Sequence, residues 1–202
     1  MKNYICINGK KVELTEEQVN EIKTSYGLQR VKLSDIPVGE TFKIGKHEFV
    51  VLEHSKETTA VILKQLLIES RTFGSNNNFD GSSVDEECKK FAEEICGIVG
   101  AENLVEHTVD LTSNDGLKDY GKVRRKMSLL TTELYRRYVY ILDKFKLEKW
   151  WWLATAYSTN THNETTWVKC VSPSGFISFY YFDYYYGVRP FCILKSHIFV
   201  SK

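Results

Sequence analysis

Runs of alternating apolar and polar residues predict β-strands along much of the chain. Two such runs flank Gly45-Lys46 and predict a hairpin over residues 42–51, and the β-branched residues at 58–68 predict a third strand. Similar runs near the carboxyl end predict strands at residues 150–153, 167–171, 176–181 and 188–194. Together they predict a twisted, mostly antiparallel sheet.

Two segments have helical spacing instead. Ser83 and Glu86 are spaced as a capping box, and the pattern after them predicts a helix that ends near Gly97. A polar loop is expected before it, over residues 70–83, and strands are expected after it at 105–111 and 123–130. The second helix is predicted over residues 132–145, with a buried face of Leu134, Tyr138, Ile141, Leu142 and Phe145. The fold class is therefore α+β.

The first 28 residues predict a small ββα unit of their own. Asn8-Gly9 is a strong hairpin-turn signal between two short strands, and Thr15 with Gln18 opens a helix that Gly27 ends. Residues 29–35 are expected to be a linker, so the domains are predicted at 1–28 and 36–202. Three apolar helix positions cannot sustain a domain alone, which makes the first unit either a docking appendage or part of the larger core.

Charge and cysteine content indicate the class of partner and the cellular compartment. The chain carries 27 basic and 26 acidic residues, a net charge of +1, so no global field directs it to nucleic acid or a membrane. Its first residues lack the apolar core of a secretory signal, and no run approaches the roughly 20 apolar residues that span a bilayer. Five cysteines without a C-x-x-C pair favour reduced thiols. We therefore expect a cytoplasmic protein.

Residues 150–194 hold all four tryptophans but only four charged side chains. Cores and interface centres both exclude charge and favour Trp and Tyr, so this composition predicts burial, contact with a partner, or both. Side chains alternate between the faces of a strand, so the consecutive aromatic residues here cannot all enter one core. The candidate binding residues lie in two loops and are Tyr157, Asn160, His162, Asn163, Tyr180, Asp183, Tyr184 and Tyr185.

Other side chains are expected to support these loops or to contact a partner by charge. Trp151, Trp152 and Arg189 would support the loops from beneath. A guanidinium in an apolar strand needs partners, so we expect Arg189 to bind loop carbonyls, with an acidic side chain as a further partner. The basic cluster of Lys122, Arg124, Arg125 and Lys126 predicts either a solvated face or a contact for phosphates or an acidic protein surface.

No catalytic or metal-binding pattern stands out. The five histidines lack the spacing of metal ligands, and neither a phosphate-binding loop nor a nucleophile motif is present. We predict no catalytic residue, no metal site and no cofactor.

A family resemblance rests on two segments. Trp151-Trp152-Leu153 and Gly187-Val188-Arg189-Pro190, in this order, resemble an uncharacterised bacterial and phage family related to the C-type-lectin and formylglycine-generating-enzyme fold. The resemblance covers residues 36–194 and implies a C-type-lectin-like domain with two flanking helices; Ala154-Thr155 departs from the family's Arg-Ser. The formylglycine enzymes would require a copper-binding pair, for which Cys170 and Cys192 are the candidates, and buried structural thiols are the preferred interpretation. The first unit resembles appendages of phage proteins.

Three functions remain open. The preferred hypothesis is a non-catalytic recognition module that binds a protein, or alternatively a glycan, through the Tyr-rich and Asn-rich loops. The second is a phage-encoded inhibitor of a bacterial defence complex such as a CRISPR nuclease, acting in the host cytoplasm through the basic cluster or the acidic helix at 85–94. Nucleic acid would then be met only through a protein–nucleic-acid complex. The third is a metal-dependent enzyme on the same scaffold.

Overall fold

A computed structural model describes residues 3–7, 10–25 and 30–202. Within these ranges the helices are α1 (Glu16–Ser25), α2 (Ser83–Val99) and α3 (Thr132–Leu142). The strands are β1 (Asn3–Ile7), β2 (Lys10–Leu14), β3 (Arg30–Lys32), β4 (Thr41–Ile44), β5 (His47–His54), β6 (Thr58–Leu63), β7 (Ile68–Arg71), β8 (Leu104–Val105), β9 (His107–Asp110), β10 (Lys122–Arg125), β11 (Met127–Ser128), β12 (Trp151–Ala156), β13 (Trp167–Val171), β14 (Ile177–Tyr181), β15 (Tyr186–Val188), β16 (Phe191–Lys195) and β17 (Phe199–Ser201).

The strands form two large sheets rather than the one sheet expected. The main sheet has the order β11-β16-β6-β5-β4-β17-β3, with β8 also paired to β16, and the second sheet has the order β14-β13-β12-β15-β7. Two-stranded pairs β1-β2 and β9-β10 complete the described strands. Pairing is antiparallel except where β12 meets β15 in parallel, at Trp151 and Gly187. The protein is therefore of mixed α+β class with mostly antiparallel sheets.

Two apolar cores lie on opposite faces of these sheets, and one helix covers each. The first core includes α2, and the second includes α3. Strand β12 contributes to both: Trp152 and Ala154 enter the first core, whereas Trp151 and Leu153 enter the second. Successive side chains in a strand point to opposite faces. Since an apolar core covers each face of β12, all six of its residues are buried.

Two predicted strands are each divided between the sheets. The strand predicted at 58–68 is β6 in the main sheet and β7 in the second. The strand predicted at 188–194 is likewise β15 and β16, which lie in different sheets. The two segments that pass from one sheet to the other, 63–68 and 188–191, are hydrogen-bonded to each other. The Leu63 amide donates to the Pro190 carbonyl, and the Leu67 amide donates to the Val188 carbonyl. A run of apolar residues indicates burial but does not show where the chain passes from one sheet to another. The strands predicted at 58–68 and 188–194 were therefore too long.

The helices also differ in detail from prediction. Ser82, not Ser83, caps α2 by accepting a hydrogen bond from the Asp85 amide, and the helix continues to Val99 and ends at Gly100. Helix α3 ends at Leu142 and continues as a 3₁₀ turn at Asp143–Phe145. Its fully buried residues include Tyr135, which was missed, whereas the predicted Leu134, Ile141 and Phe145 are only partly buried.

The connecting segments contain more short strands than expected. The predicted strand at 105–111 is β8 and β9, and the one at 123–130 is β10 and β11. The expected linker at 29–35 contains β3, which pairs with β17 in the main sheet. In the first unit, β1 and β2 pair as predicted and Thr15 and Gln18 exchange capping hydrogen bonds, while Asn8, Gly9 and Gly27 lie outside the described residues. No helix in the described ranges is long and apolar enough to cross a bilayer.

Candidate recognition surface

Exposed aromatic side chains concentrate on strand β14 and the segments beside it. Of the fourteen large apolar side chains that are exposed in the described part of the chain, seven lie between positions 157 and 185. These seven, here called the aromatic surface, are Tyr157, Phe176, Phe179, Tyr180, Tyr181, Tyr184 and Tyr185. The sequence identified four of them. Phe179 and Tyr181 belong to the segment expected to bind, residues 179–186, but were not singled out within it, and Phe176 lies outside that segment.

One face of the second sheet carries a cluster centred on Phe179. The Phe179 ring lies 4.7 Å from that of Tyr157 and 5.3 Å from that of Trp167, and Trp167 stacks on Tyr181 at 3.9 Å between centroids. The ammonium of Lys169 lies 5.8 Å from the Tyr157 ring and 5.3 Å from the Phe179 ring. This face is an exposed apolar cluster with one cation at its base.

The other face carries a tyrosine cluster that is continuous with the first core. Tyr186 is buried and its ring lies 5.6 Å from Tyr180, 5.3 Å from Tyr184 and 5.5 Å from Trp150. Tyr180 and Tyr184 are themselves 4.3 Å apart and partly exposed. Ring contacts to a buried anchor hold these tyrosines in place, so the cluster offers aromatic area whose ordering is already complete in the free protein.

The polar loop at 157–166 is held by two carboxylates that the sequence did not connect with it. The Asp119 carboxylate accepts hydrogen bonds from the hydroxyls of Thr159 and Thr161, each at 2.6 Å. Asp115 accepts from the Ser158 hydroxyl at 2.6 Å and contacts His162 Nδ1 at 2.9 Å. Both carboxylates lie in a turn more than 35 residues away in sequence, and no local pattern predicts that pairing.

The predicted binding residues of this loop are exposed at its tip. Asn160 and His162 belong to a 3₁₀ turn, and Asn163 follows in the left-handed region with φ of 55°. Beneath the loop, Asn77 donates to the carbonyls of Ser158 and Trp167. Asp183 is exposed in the turn between β14 and β15. The structure thus brings both predicted loops to the end of the second sheet, on a fixed backbone.

Asp115, His162 and Ser158 do not have the geometry of a catalytic triad. In such a triad the two imidazole nitrogens have different partners, one the carboxylate and the other the nucleophile. Here Nδ1 alone faces both Asp115 and Ser158, at 2.9 and 3.5 Å, and the buried Ser158 hydroxyl donates to Asp115. Although desolvation opposes ionisation, hydrogen bonds from Ser113, Ser158 and His162 lower the pKa of Asp115 to about 2. The group anchors the loop.

The predicted supporting residues lie below the surface. Trp151 and Trp152 are buried in opposite cores, and the Trp152 indole donates to the Arg71 carbonyl at 2.9 Å. Arg189 is 1 % exposed and donates to the carbonyls of Leu63 and Lys64 at 2.9 and 3.0 Å, with its guanidinium 5.3 Å from the Trp151 ring. Burial lowers the pKa of Arg189 to about 10. The described partners of Arg189 include no carboxylate.

The basic cluster is paired within the protein. Arg125 binds the buried Asp85 through two nitrogens at 2.8 Å and also contacts Asp80, so it secures the start of α2. Lys122 pairs with Asp110, Arg124 with Glu106, and Lys126 donates to the Ala101 carbonyl. The acidic residues of α2 are largely paired too, with partners that include Lys89, Lys90, Arg71 and His47. Most charges of the two segments that the inhibitor hypothesis uses are thus engaged within the protein, although side chains such as Lys122 and Arg124 stay exposed.

The cysteines are free thiols in the described structure. Burial raises the pKa of Cys170 to about 12 and raises that of Cys88 and Cys192 further. A buried thiol with a raised pKa is a poor nucleophile and metal ligand, because both roles need the thiolate. Across the described residues, no group of three or more His, Cys, Asp or Glu side chains is arranged to hold a metal ion.

Comparison of the chain with protein-family models, with curated proteins and with solved structures found no match. The class of protein is therefore described from its own fold and surface. This is an α+β protein in which an edge strand of one sheet presents an ordered set of exposed aromatic side chains.

Proposed function

We propose that this chain is a non-catalytic recognition module that binds a partner protein through the aromatic surface. The observation that carries the proposal is the seven exposed aromatic side chains at one edge of the second sheet. Exposed apolar clusters of this kind mark interaction sites, and tyrosine adds rigid contact area with a polar tip and little entropy to lose.

Anchoring of the neighbouring polar loop supports the same proposal. Asp115 and Asp119 fix the backbone of residues 158–161, so the exposed Asn160, His162 and Asn163 are presented without an ordering cost on binding. The scaffold we propose is C-type-lectin-like, which rests on the Trp151-Trp152-Leu153 and Gly187-Val188-Arg189-Pro190 segments. The free thiols of the described residues fit a partner met in a reducing cytoplasm, such as that of a phage-infected host.

The test compares the wild-type chain with matched tyrosine variants. The chain is immobilised and proteins are captured from a lysate of the cells in which it occurs, with Tyr184→Ala/Tyr185→Ala as the test variant. Tyr140→Ala is the control, because Tyr140 is 88 % exposed on α3 and outside the aromatic surface. We expect one protein to be retained by the wild type and the control but lost by the test variant.

Two measurements make the result decisive. The thermal midpoint of the test variant should fall by less than about 3 °C, since exposed side chains contribute little to stability; a large fall would mean that these rings are core residues. A glycan array run in parallel addresses the alternative ligand. Retention of the captured protein by the double variant, or tyrosine-dependent binding to a glycan alone, contradicts a protein-binding aromatic surface.

A further inference from the structure

The outer edge of β14 has free backbone groups. Among the strands that the structure describes, β14 is the terminal strand of the second sheet and pairs with β13 alone. The Phe176 carbonyl accepts from Ser172 and the Phe182 amide donates to Thr166, and in an antiparallel pair the inward-facing residues alternate. The even-numbered residues therefore bond to β13, whereas Ile177 and Phe179 direct both backbone groups outward. The Tyr181 amide also faces outward, but the Tyr181 carbonyl accepts a hydrogen bond from the Tyr184 amide in the following turn.

This edge lacks the features that usually protect an edge strand. Natural sheets block such edges with charged side chains, proline or a covering segment. Strand β14 reads Ile-Ser-Phe-Tyr-Tyr, with no charge and no proline, and its pairing with β13 runs through five consecutive positions without a bulge. Exposed aromatic residues flank it on both faces. The edge is thus open to another strand and has apolar area ready to cover its side chains.

Lys169 adds a charge preference to this edge. It lies opposite Phe179 on β13 and is only 8 % exposed, yet within the described structure its ammonium has ring contacts and no anionic partner. Burial lowers its pKa, and the nearby Arg136 acts in the same direction. Arg136 also has no ion pair among the described residues and is exposed. A nearly buried cation without an anion is costly in the free protein and gains most from a carboxylate supplied by a ligand.

We propose that the partner contributes an extended acidic segment that adds to the outer edge of β14 as a further strand, with an Asp or Glu carboxylate facing Lys169 and Arg136. This proposal rests on the proposed function and specifies the partner's chemistry. The added residue opposite Phe179 would lie two strand spacings, about 10 Å, from Lys169, a gap that a lysine and a glutamate side chain together span. A second copy of β14 would bring no carboxylate to this face, because the strand has none.

The test uses displayed peptides rather than a known partner. Random peptides are selected on the wild-type chain, and the enriched sequences are synthesised with each Asp or Glu also replaced by its amide. Affinities are measured for the wild type, for Lys169→Met, which retains most of the aliphatic stem, and for Lys56→Met. Lys56 is an exposed lysine in the turn between β5 and β6 of the main sheet, so it controls for the loss of one positive charge.

We expect one acidic position in the enriched peptides whose conversion to the amide weakens binding to the wild type and to Lys56→Met by about tenfold or more. For Lys169→Met the preference for the acid over the amide peptide should be several-fold smaller than for the wild type, and what remains is the contribution of Arg136. Backbone N-methylation should abolish binding at every second position only, because alternate amides of an added strand face β14. Size-exclusion chromatography with light scattering should give a monomer.

Four results would overturn the inference: no enriched peptide, no acidic preference, N-methyl sensitivity without a period of two, or a dimer of the chain that a Phe179→Lys substitution dissolves. These results leave the capture experiment with the tyrosine variants standing as a separate test. Loss of tyrosine-dependent capture would end the proposed function itself.

Discussion

Replacing Arg189 by methionine should destabilise the protein although the substitution removes an unpaired charge from its interior. The side chain donates to two carbonyls, those of Leu63 and Lys64, and its guanidinium lies against the Trp151 ring. These contacts hold the point at which the chain leaves β6 of the main sheet and crosses towards the second sheet. Methionine fills much of the same volume but offers no donor.

The expected magnitude is a difference between opposing effects. Two hydrogen bonds from a charged donor contribute about 3–6 kcal/mol together, and a desolvated cation–π contact adds about 2 kcal/mol. Against this, burial lowers the pKa of Arg189 from 12.5 to about 10, equivalent to about 3 kcal/mol of unfavourable free energy that methionine relieves. The net loss is about 2–5 kcal/mol, or roughly 4–20 °C in thermal midpoint for a chain of this size.

The measurement is urea unfolding of Arg189→Met beside Arg137→Met. Arg137 pairs with Glu53 on the surface and its side chain is 58 % exposed, so its loss should cost less than about 1 kcal/mol. Equal free energies of unfolding for the two variants would contradict this prediction, since Arg189 would then contribute no more than a surface ion pair.

Three further outcomes follow from the described contacts. In the native protein the exposed Cys6 should react with a thiol reagent within minutes, whereas three buried thiols should react only on unfolding: Cys88, Cys170 and Cys192. Asp115→Asn should make the free energy of unfolding less dependent on pH between about 4 and 2. A carboxylate with a lowered pKa stabilises the fold above its unfolded pKa and loses that effect as pH falls. An unchanged slope of the free energy of unfolding against pH, measured by urea titrations in this range, contradicts this. Gly187→Ala should lower the free energy of unfolding by about 1–3 kcal/mol, because a Cβ there would lie 2.4 Å from Leu66 Cδ1; native-like stability would show that Leu66 yields freely.

Local sequence patterns predicted the elements but not how the chain divides them between sheets. The alternation around Gly45 and the helical spacing after Ser83 gave the hairpin and α2 because both depend on neighbouring residues. The division of 58–68 and 188–194 depends instead on the contact between Leu63, Lys64 and Arg189, which are about 125 residues apart. Such a long-range contact leaves no periodic signal.

The candidate surface was likewise predictable only as far as local sequence patterns reach. The density of aromatic residues at 176–186 indicated that some must be exposed, since a strand has two faces. Which of them lie beside Lys169 depends on the register of β14 against β13. The turn at residues 172–176, which connects these two strands, sets that register. The anchoring of residues 158–161 by Asp115 and Asp119 is a contact between two loops and could be found only in the folded structure.

The most direct test of the aromatic surface as a binding site is photo-crosslinking in the cells where the chain occurs. The photoreactive residue p-benzoylphenylalanine is placed in turn at Tyr181, Tyr185 and the exposed control Tyr140 on α3. We expect positions 181 and 185 to crosslink to the same protein and position 140 to give no crosslink. Crosslinking at position 140 alone, or at none of the three, would contradict it.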